Sequence, residues 1–207
     1  MIGRAGELGK LIVVVGNSGV GKTTLVQQLC QRASFITGLE QHAERPFQAL
    51  MAEDRQRWGL ANQLDYLLLR AEQEQIIRQS ELPGLQDGGL EMDYFVFNHR
   101  FHQLGYMTDE EFALCTRFYH FIRTNLPPPD LIIHVTAPLD VIKKRFLIRR
   151  RELEIARLGD LAAMQALLDV WLQQVTGIPI WTVDSTQENR LYKNTVNYVA
   201  DLLKLNE

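Results

Sequence analysis

The hydrophobic pattern changes period along the chain, from unbroken apolar runs to three-and-four spacing. Leu11-Ile12-Val13-Val14-Val15 is an unbroken, mostly β-branched run and predicts a buried strand. Helical sequence continues through Leu25–Gln31, and Ser34–Gly38 predicts a short second strand with Glu40 just beyond it. After the Arg45-Pro46 loop, Phe47–Gln56 reads as helix. Trp58–Gln79 predicts a long helix with Leu60, Leu64, Leu67, Leu68 and Ile76 on one face. Pro83-Gly84 breaks it, and Leu85-Gln86-Asp87 ends a short strand closed by Gly88-Gly89.

Helices are expected at about Met92–Leu104 and Thr108–Leu126, the second opening on the capping-box pattern Thr108-x-x-Glu111. Pro127-Pro128-Pro129 stops it, and Leu131-Ile132-Ile133 marks a buried strand within Asp130–Thr136. A helix runs from Pro138 to about Ala156 and another from Asp160 to Val175. Ile178–Val183 reads as strand and Asn189–Leu205 as a closing helix. Strands alternating with helices imply an α/β fold, a five-stranded parallel sheet with helices on both faces. The length of 207 residues suits one domain, 1–207. Ligands of such a sheet sit at the carboxyl ends of its strands, where Gly16, Glu40 and Asp87 fall.

Composition narrows the class only slightly. The net charge of -3 gives no general pull toward nucleic acid or an anionic membrane. No segment approaches the ~20 apolar residues of a membrane span, and the short apolar run before Gly16 does not resemble a secretion signal. Cys30 and Cys115 lie far apart on expected helices and read as reduced, buried thiols of a cytoplasmic protein.

The chemistry begins where the first strand ends. Gly16-Asn17-Ser18-Gly19-Val20-Gly21-Lys22-Thr23 fits the phosphate-loop pattern G-x-x-x-x-G-K-[ST], and Thr24 follows it. Its glycines let backbone N–H groups converge on phosphate oxygens. Lys22 would bring a point charge to the β and γ phosphates, and Thr23 a hydroxyl to Mg²⁺. The next helix would aim its positive end at the anion. Asp87, at a strand end nearby, would help hold Mg²⁺ directly or through water.

A second cluster, Lys143, Lys144, Arg145, Arg149, Arg150 and Arg151, lies on the helix after the strongest strand. Arg145 and Arg149 are one turn apart and share a face. Such a helix would close over a triphosphate and neutralise the moving phosphoryl group. The bland alternative is a solvated basic face paired to Glu152 and Glu154. Phe146 is the one aromatic residue among these charges, so no aromatic series alternates with them, which speaks against a nucleic-acid surface.

With these stretches in view, most of the chain resembles the deoxyribonucleoside kinases of the deoxycytidine, deoxyguanosine and deoxyadenosine kinase type. Glu40-Gln41-His42-x-x-Arg45-Pro46-Phe47 is similar to that family's Glu-Pro-Val…Asn-Pro-Phe segment, which makes Glu40 the base for the substrate 5′-hydroxyl. Arg57-Trp58…Gln63…Arg70 resembles its Arg-Trp/Tyr…Gln…Arg helix. The resemblance gives Trp58 to the pocket wall, Gln63 to the base, and Arg70 to the support of a base-reading carboxylate. That carboxylate is Asp93, in Asp87-Gly88-Gly89-x-x-x-Asp93-x-x-x-Phe97, with Phe97 also at the substrate. Arg145-x-x-x-Arg149-Arg150-Arg151-x-x-Glu154 resembles the family's lid. It implies a helical arginine-rich lid over about 145–160, with Arg145, Arg149 and Arg151 on the phosphates and Glu154 near the sugar 3′-hydroxyl.

The resemblance implies a P-loop kinase fold, ATP as donor, Mg²⁺, a small-molecule nucleoside acceptor, and a homodimer through the helices near 92–126. Gln63 with Asp93 fits an amino-bearing base edge, which favours adenine or cytosine and leaves guanine open after local rearrangement. Gly88 stands where the family has arginine, Ala52 where it has tyrosine, Arg150 where the lid has glycine, and Gln41 where proline is usual. Two other readings remain at this level. One is a thymidylate kinase-like enzyme with Arg45 and Arg100 on a substrate phosphate; the other is a nucleotide-binding regulatory protein without acceptor activity.

Overall fold

The structure, a computed structural model, describes residues 9–39, 45–149, 156–186 and 192–202. The expected second-strand carboxylate Glu40, and the lid residues Arg150, Arg151 and Glu154, lie outside them.

Five parallel strands form one sheet in the order β2-β3-β1-β4-β5. They are β1 (Leu11–Val15), β2 (Ile36–Gly38), β3 (Gly84–Asp87), β4 (Leu131–Thr136) and β5 (Ile180–Asp184). The unbroken apolar run of β1 has a direct cause. Ile12 and Val14 pack into one core while Leu11, Val13 and Val15 pack into another, so neither face of the central strand sees water. β4 repeats this, with Leu131, Ile133 and Val135 on one side and Ile132 on the other.

Helices α1 (Lys22–Arg32), α2 (Pro46–Glu53) and α3 (Arg55–Arg78) precede β3. The expected break between α2 and α3 falls earlier than Trp58. Asp54 ends α2, and its carboxylate caps α3 by accepting from the Arg57 N–H at 3.0 Å. α4 (Leu90–Met92), a π-helical stretch (Asp93–Asn98) and α5 (His99–Gln103) form one continuous helical run. α6 (Asp109–Asn125) opens on the expected capping box of Thr108 and Glu111. α7 (Leu139–Arg149), α8 (Leu161–Gln174), preceded by a 3₁₀ turn at Leu158–Asp160, and α9 (Lys193–Leu202) complete the described helices.

Two expectations about burial change. Leu68 and Ile76 point outward from α3, Ile76 being 59% exposed. The inward stripe of α3 is instead partly polar: Asn62, Gln63, Arg70, Glu74 and Arg78 are buried beside Leu67 and Ile77. Cys30 is exposed, because Leu25, Val26 and Leu29 take the inward face of α1. Cys115 is buried as expected, and burial, followed by nearby Glu111, pushes its thiol up to about 12.

Candidate active site

The loop after β1 turns through three glycines that no other residue would replace. Gly16 has φ +151°, and a Cβ there would lie 2.4 Å from the Val135 carbonyl oxygen. Gly21, with φ +116°, caps α1 and would strike the Tyr192 hydroxyl at 2.7 Å. Gly19 has φ +87°. Asn17 pins this loop to α8 by donating to the Leu161 carbonyl at 2.8 Å and to Gln165 at 3.2 Å. Its own carbonyl-type oxygen accepts from the Ser18 N–H at 2.8 Å. Val20 is fully buried in the core, and Thr24 follows Thr23 in the first turn of α1. Lys22 is buried and donates to the Gly16 and Asn17 carbonyls at 3.0 and 3.3 Å. The loop therefore folds around its own lysine ammonium, at the positive end of α1.

Asp87 reaches the loop because β3 pairs with β1 in a register that sets it opposite Val14. The Thr23 hydroxyl donates to its carboxylate at 2.5 Å. A hydroxyl and a carboxylate this close, beside a phosphate cradle, form a hard oxygen donor set suited to Mg²⁺. Gly88 and Gly89 follow at φ +103° and +101°. That backbone disfavours the arginine found here in the resembled family.

The residues expected on the acceptor side lie on α3 and the run after β3. Gln63 is 1% exposed and donates its amide to the Asp93 carbonyl at 2.6 Å. Arg70, also 1% exposed, donates Nε to the Asp93 carboxylate at 2.8 Å and Nη2 to the Asp87 carbonyl at 2.8 Å. One guanidinium thus links the Asp93 carboxylate to the backbone of the strand end that carries Asp87. The Gln63 bond competes for a helix carbonyl where the π-helical stretch begins, and widened turns of this kind are frequent at functional sites. Trp58 is half-buried, with its ring 5.9 Å from Phe47, and Phe97 packs 6.2 Å from Phe101.

Arg145, expected on the phosphates, is bonded to the loop that would cradle them. Its guanidinium donates to the Val20 carbonyl at 3.0 Å, the Ser185 hydroxyl at 2.7 Å and the Ser185 carbonyl at 3.1 Å. It braces the phosphate loop against the end of β5, because α7 packs that stretch of helix over the loop. Arg149 lies beyond it, 5.8 Å over the Phe146 ring. Arg100 is paired with Asp160 at 2.6 Å and Arg45 stands 3.5 Å from Asp65, so both are paired within the chain. His134, on β4, has its pKa lowered by burial, partly offset by Asp169.

Sequence reading missed two partners. Ser185 lies beyond any motif, and nothing in the sequence marks it. Tyr66 donates its hydroxyl to buried Gln48 across α2 and α3. Its spacing from Gln63 and Arg70, on the same helical face, was a usable signal.

A phosphate loop closing one end of a parallel sheet, with a buried polar wall tied to it through Arg70, is the layout of a P-loop phosphotransferase. Comparison narrows that class. The family model for deoxynucleoside kinases matches residues 12–204, and the chain belongs to that family. It is a nucleoside kinase, whose reaction is phosphoryl transfer to a deoxynucleoside. A deoxyadenosine/deoxycytidine kinase of Bacillus subtilis is 24% identical over 205 residues, covering 95% of this chain and 94% of the relative. A deoxyadenosine kinase of Dictyostelium discoideum is 26% identical over 146 residues, covering 70% of this chain and 59% of the relative. The fold matches a deoxyadenosine kinase from M. mycoides solved with the products dCMP and a flexible dCDP. That match has a TM-score of 0.78 at 18% identity, and covers 94% of this chain and 98% of the other. No described helix is long and apolar enough to cross a membrane.

Proposed function

We propose that this kinase transfers the γ-phosphoryl group of ATP to the 5′-hydroxyl of deoxyadenosine or deoxycytidine, with Mg²⁺. Bound MgATP supplies the phosphoryl group and part of the charge that neutralises it in the transition state. The chain supplies position. The backbone from Gly16 to Thr24 cradles the phosphates, and Lys22 exchanges its carbonyl partners for phosphate oxygens. Thr23 and Asp87 hold the metal. Arg149 and Arg151 draw charge from the moving group, while Arg145 keeps the loop braced. Glu40 accepts the 5′-hydroxyl proton, a task that needs only a positioned carboxylate when the transition state is loose. Gln63 and Asp93 meet an amino-bearing base edge, Trp58 and Phe97 flank the base, and Glu154 approaches the sugar 3′-hydroxyl.

The observation that carries this reading is the pair of hydrogen bonds Arg70 donates, to the Asp93 carboxylate on one side and to the Asp87 carbonyl on the other. It fixes an acceptor carboxylate relative to the Thr23–Asp87 pair. The pairing of Arg100 with Asp160 favours a nucleoside over a nucleotide acceptor. Relatives named deoxyadenosine/deoxycytidine kinase and deoxyadenosine kinase fit the base preference, while a relative named deoxyguanosine kinase, 24% identical over 143 residues, keeps guanine among the bases to test.

Two further parts of the reading are cytoplasmic location and a homodimer through α6. The dimer is supported by Leu114 and Phe121, exposed two turns apart on one face of α6, with Phe121 67% exposed.

Glu40→Gln tests the base assignment. Its kcat should fall by about 10²-fold or more while ATP affinity stays unchanged. Full kcat in the variant refutes the assignment.

A further inference from the structure

A buried cluster of opposite charges lies one turn beyond Arg70 on α3. Glu74 is 0% exposed and accepts from Nη2 of Arg123 at 2.6 Å. Nε of the same guanidinium stands 2.7 Å from Glu91. Nη1 donates to the Pro127 carbonyl at 2.9 Å. Arg123 thus hydrogen-bonds Glu74 of α3 and the carbonyl that follows its own helix, while its Nε stands at ion-pair distance from Glu91 without hydrogen-bond geometry. Glu74 belongs to the helix that carries Gln63 and Arg70, and Glu91 precedes Asp93 by two positions.

We propose that Arg123 is a positioning residue of the acceptor pocket, stapling α3 to the Leu90–Asn98 run and so fixing Gln63 and Arg70 against Asp93. The inference rests on the acceptor reading given above. On α3 the staple acts one helical turn from Arg70 and about three turns from Gln63, and on the other wall two residues from Asp93. Displacements of about 1 Å between such walls are enough to cost large factors in rate or affinity.

The chemistry of the cluster favours geometry over stability as its role. Two carboxylates share one guanidinium, and buried ion pairs of this kind rarely stabilise a fold more than apolar residues of the same volume. Apolar and aromatic neighbours, Tyr94, Tyr119 and Ile122, already form the core around it. A planar fork spans two carboxylates and a carbonyl at once, which a lysine ammonium on a flexible stem does not reproduce.

The cluster also gives the pocket a titrating group. Burial first, and Glu91 second, push the Glu74 carboxyl up to about 7, against the opposing pull of Arg123 and Arg78. The groups facing Glu74 are Glu91 from α4, Arg123 and Tyr119 from α6, and Arg78 from α3 itself. Ionised Glu74 holds the fork by a charge-assisted bond, and protonated Glu74 holds it less firmly.

The test compares deoxynucleoside KM, MgATP KM and melting temperature for five proteins: wild type, Arg123→Lys, Glu74→Gln, the neutral triple Glu74→Gln/Glu91→Gln/Arg123→Met, and Asp93→Asn. Arg123→Lys and the triple should each raise the deoxynucleoside KM about tenfold, with MgATP KM within about twofold. Wild-type deoxynucleoside KM should rise as pH falls through about 7, and Glu74→Gln should flatten that step. A folded triple with wild-type deoxynucleoside KM, or an unchanged KM in Arg123→Lys, overturns the staple. Asp93→Asn separates the two levels. If Asp93→Asn raises deoxynucleoside KM and the Arg123 variants do not, the staple alone fails. If Asp93→Asn leaves it unchanged, the acceptor reading itself fails.

Discussion

At the residue scale, the phosphate loop and the charge cluster show opposite kinds of legibility. Gly16, Gly21, Lys22 and Thr23 were readable because a phosphate cradle imposes backbone angles that few sequences satisfy, and the observed positive φ values are those demands. Glu74 and Arg123 were not readable, since a charge at helical spacing normally faces water. Glu74 makes a direct prediction. Its carboxyl is raised from 4.5 to about 7 in the folded protein, so the unfolded chain ionises first as pH rises. Its contribution is therefore fully present below about 4.5 and is lost as pH climbs through about 7. Thermal melts of Glu74→Gln should show a Tm change, relative to wild type, that is more favourable at pH 8 than at pH 5. Equal changes at both values contradict the shifted carboxyl.

At the element scale, local signals set helix ends well and helix faces less well. Thr108 and Glu111 announce the start of α6, and both reciprocal capping bonds are present. Thr108→Ala should cost about 1 kcal/mol in denaturant unfolding, with kcat unchanged. A loss too small to measure would mean that the cap adds nothing to α6. The face of α3 was harder, because its inward stripe holds Asn62, Gln63, Arg70 and Glu74, and a pattern search for apolar positions selects Leu68 and Ile76 instead. The π-helical stretch Asp93–Asn98 has no periodic signature over so few residues, and Gln63 bonds to its first carbonyl from another helix. The outward face of α6 has its own test. Phe121→Glu should shift the protein from dimer to monomer in light scattering at micromolar concentration. A dimer that persists would place the interface elsewhere.

At the scale of the whole molecule, the strand order was not readable from the chain, although the presence of five parallel strands was. Sequence order says nothing of β3 lying between β2 and β1, yet that placement brings Asp87 beside Thr23. Arg70, which belongs to neither strand, then ties the end of β3 beside the phosphate loop to Asp93, the carboxylate proposed to meet the acceptor. The central claim is that this joined site phosphorylates a deoxynucleoside at its 5′-hydroxyl. The most direct measurement incubates the protein with Mg²⁺ and ATP labelled in the γ-phosphate, against the four deoxynucleosides and their 5′-monophosphates, with products separated by chromatography. The account predicts label in the 5′-monophosphate of deoxyadenosine, deoxycytidine or both. Label appearing only in diphosphates, or in no nucleoside product, would contradict it.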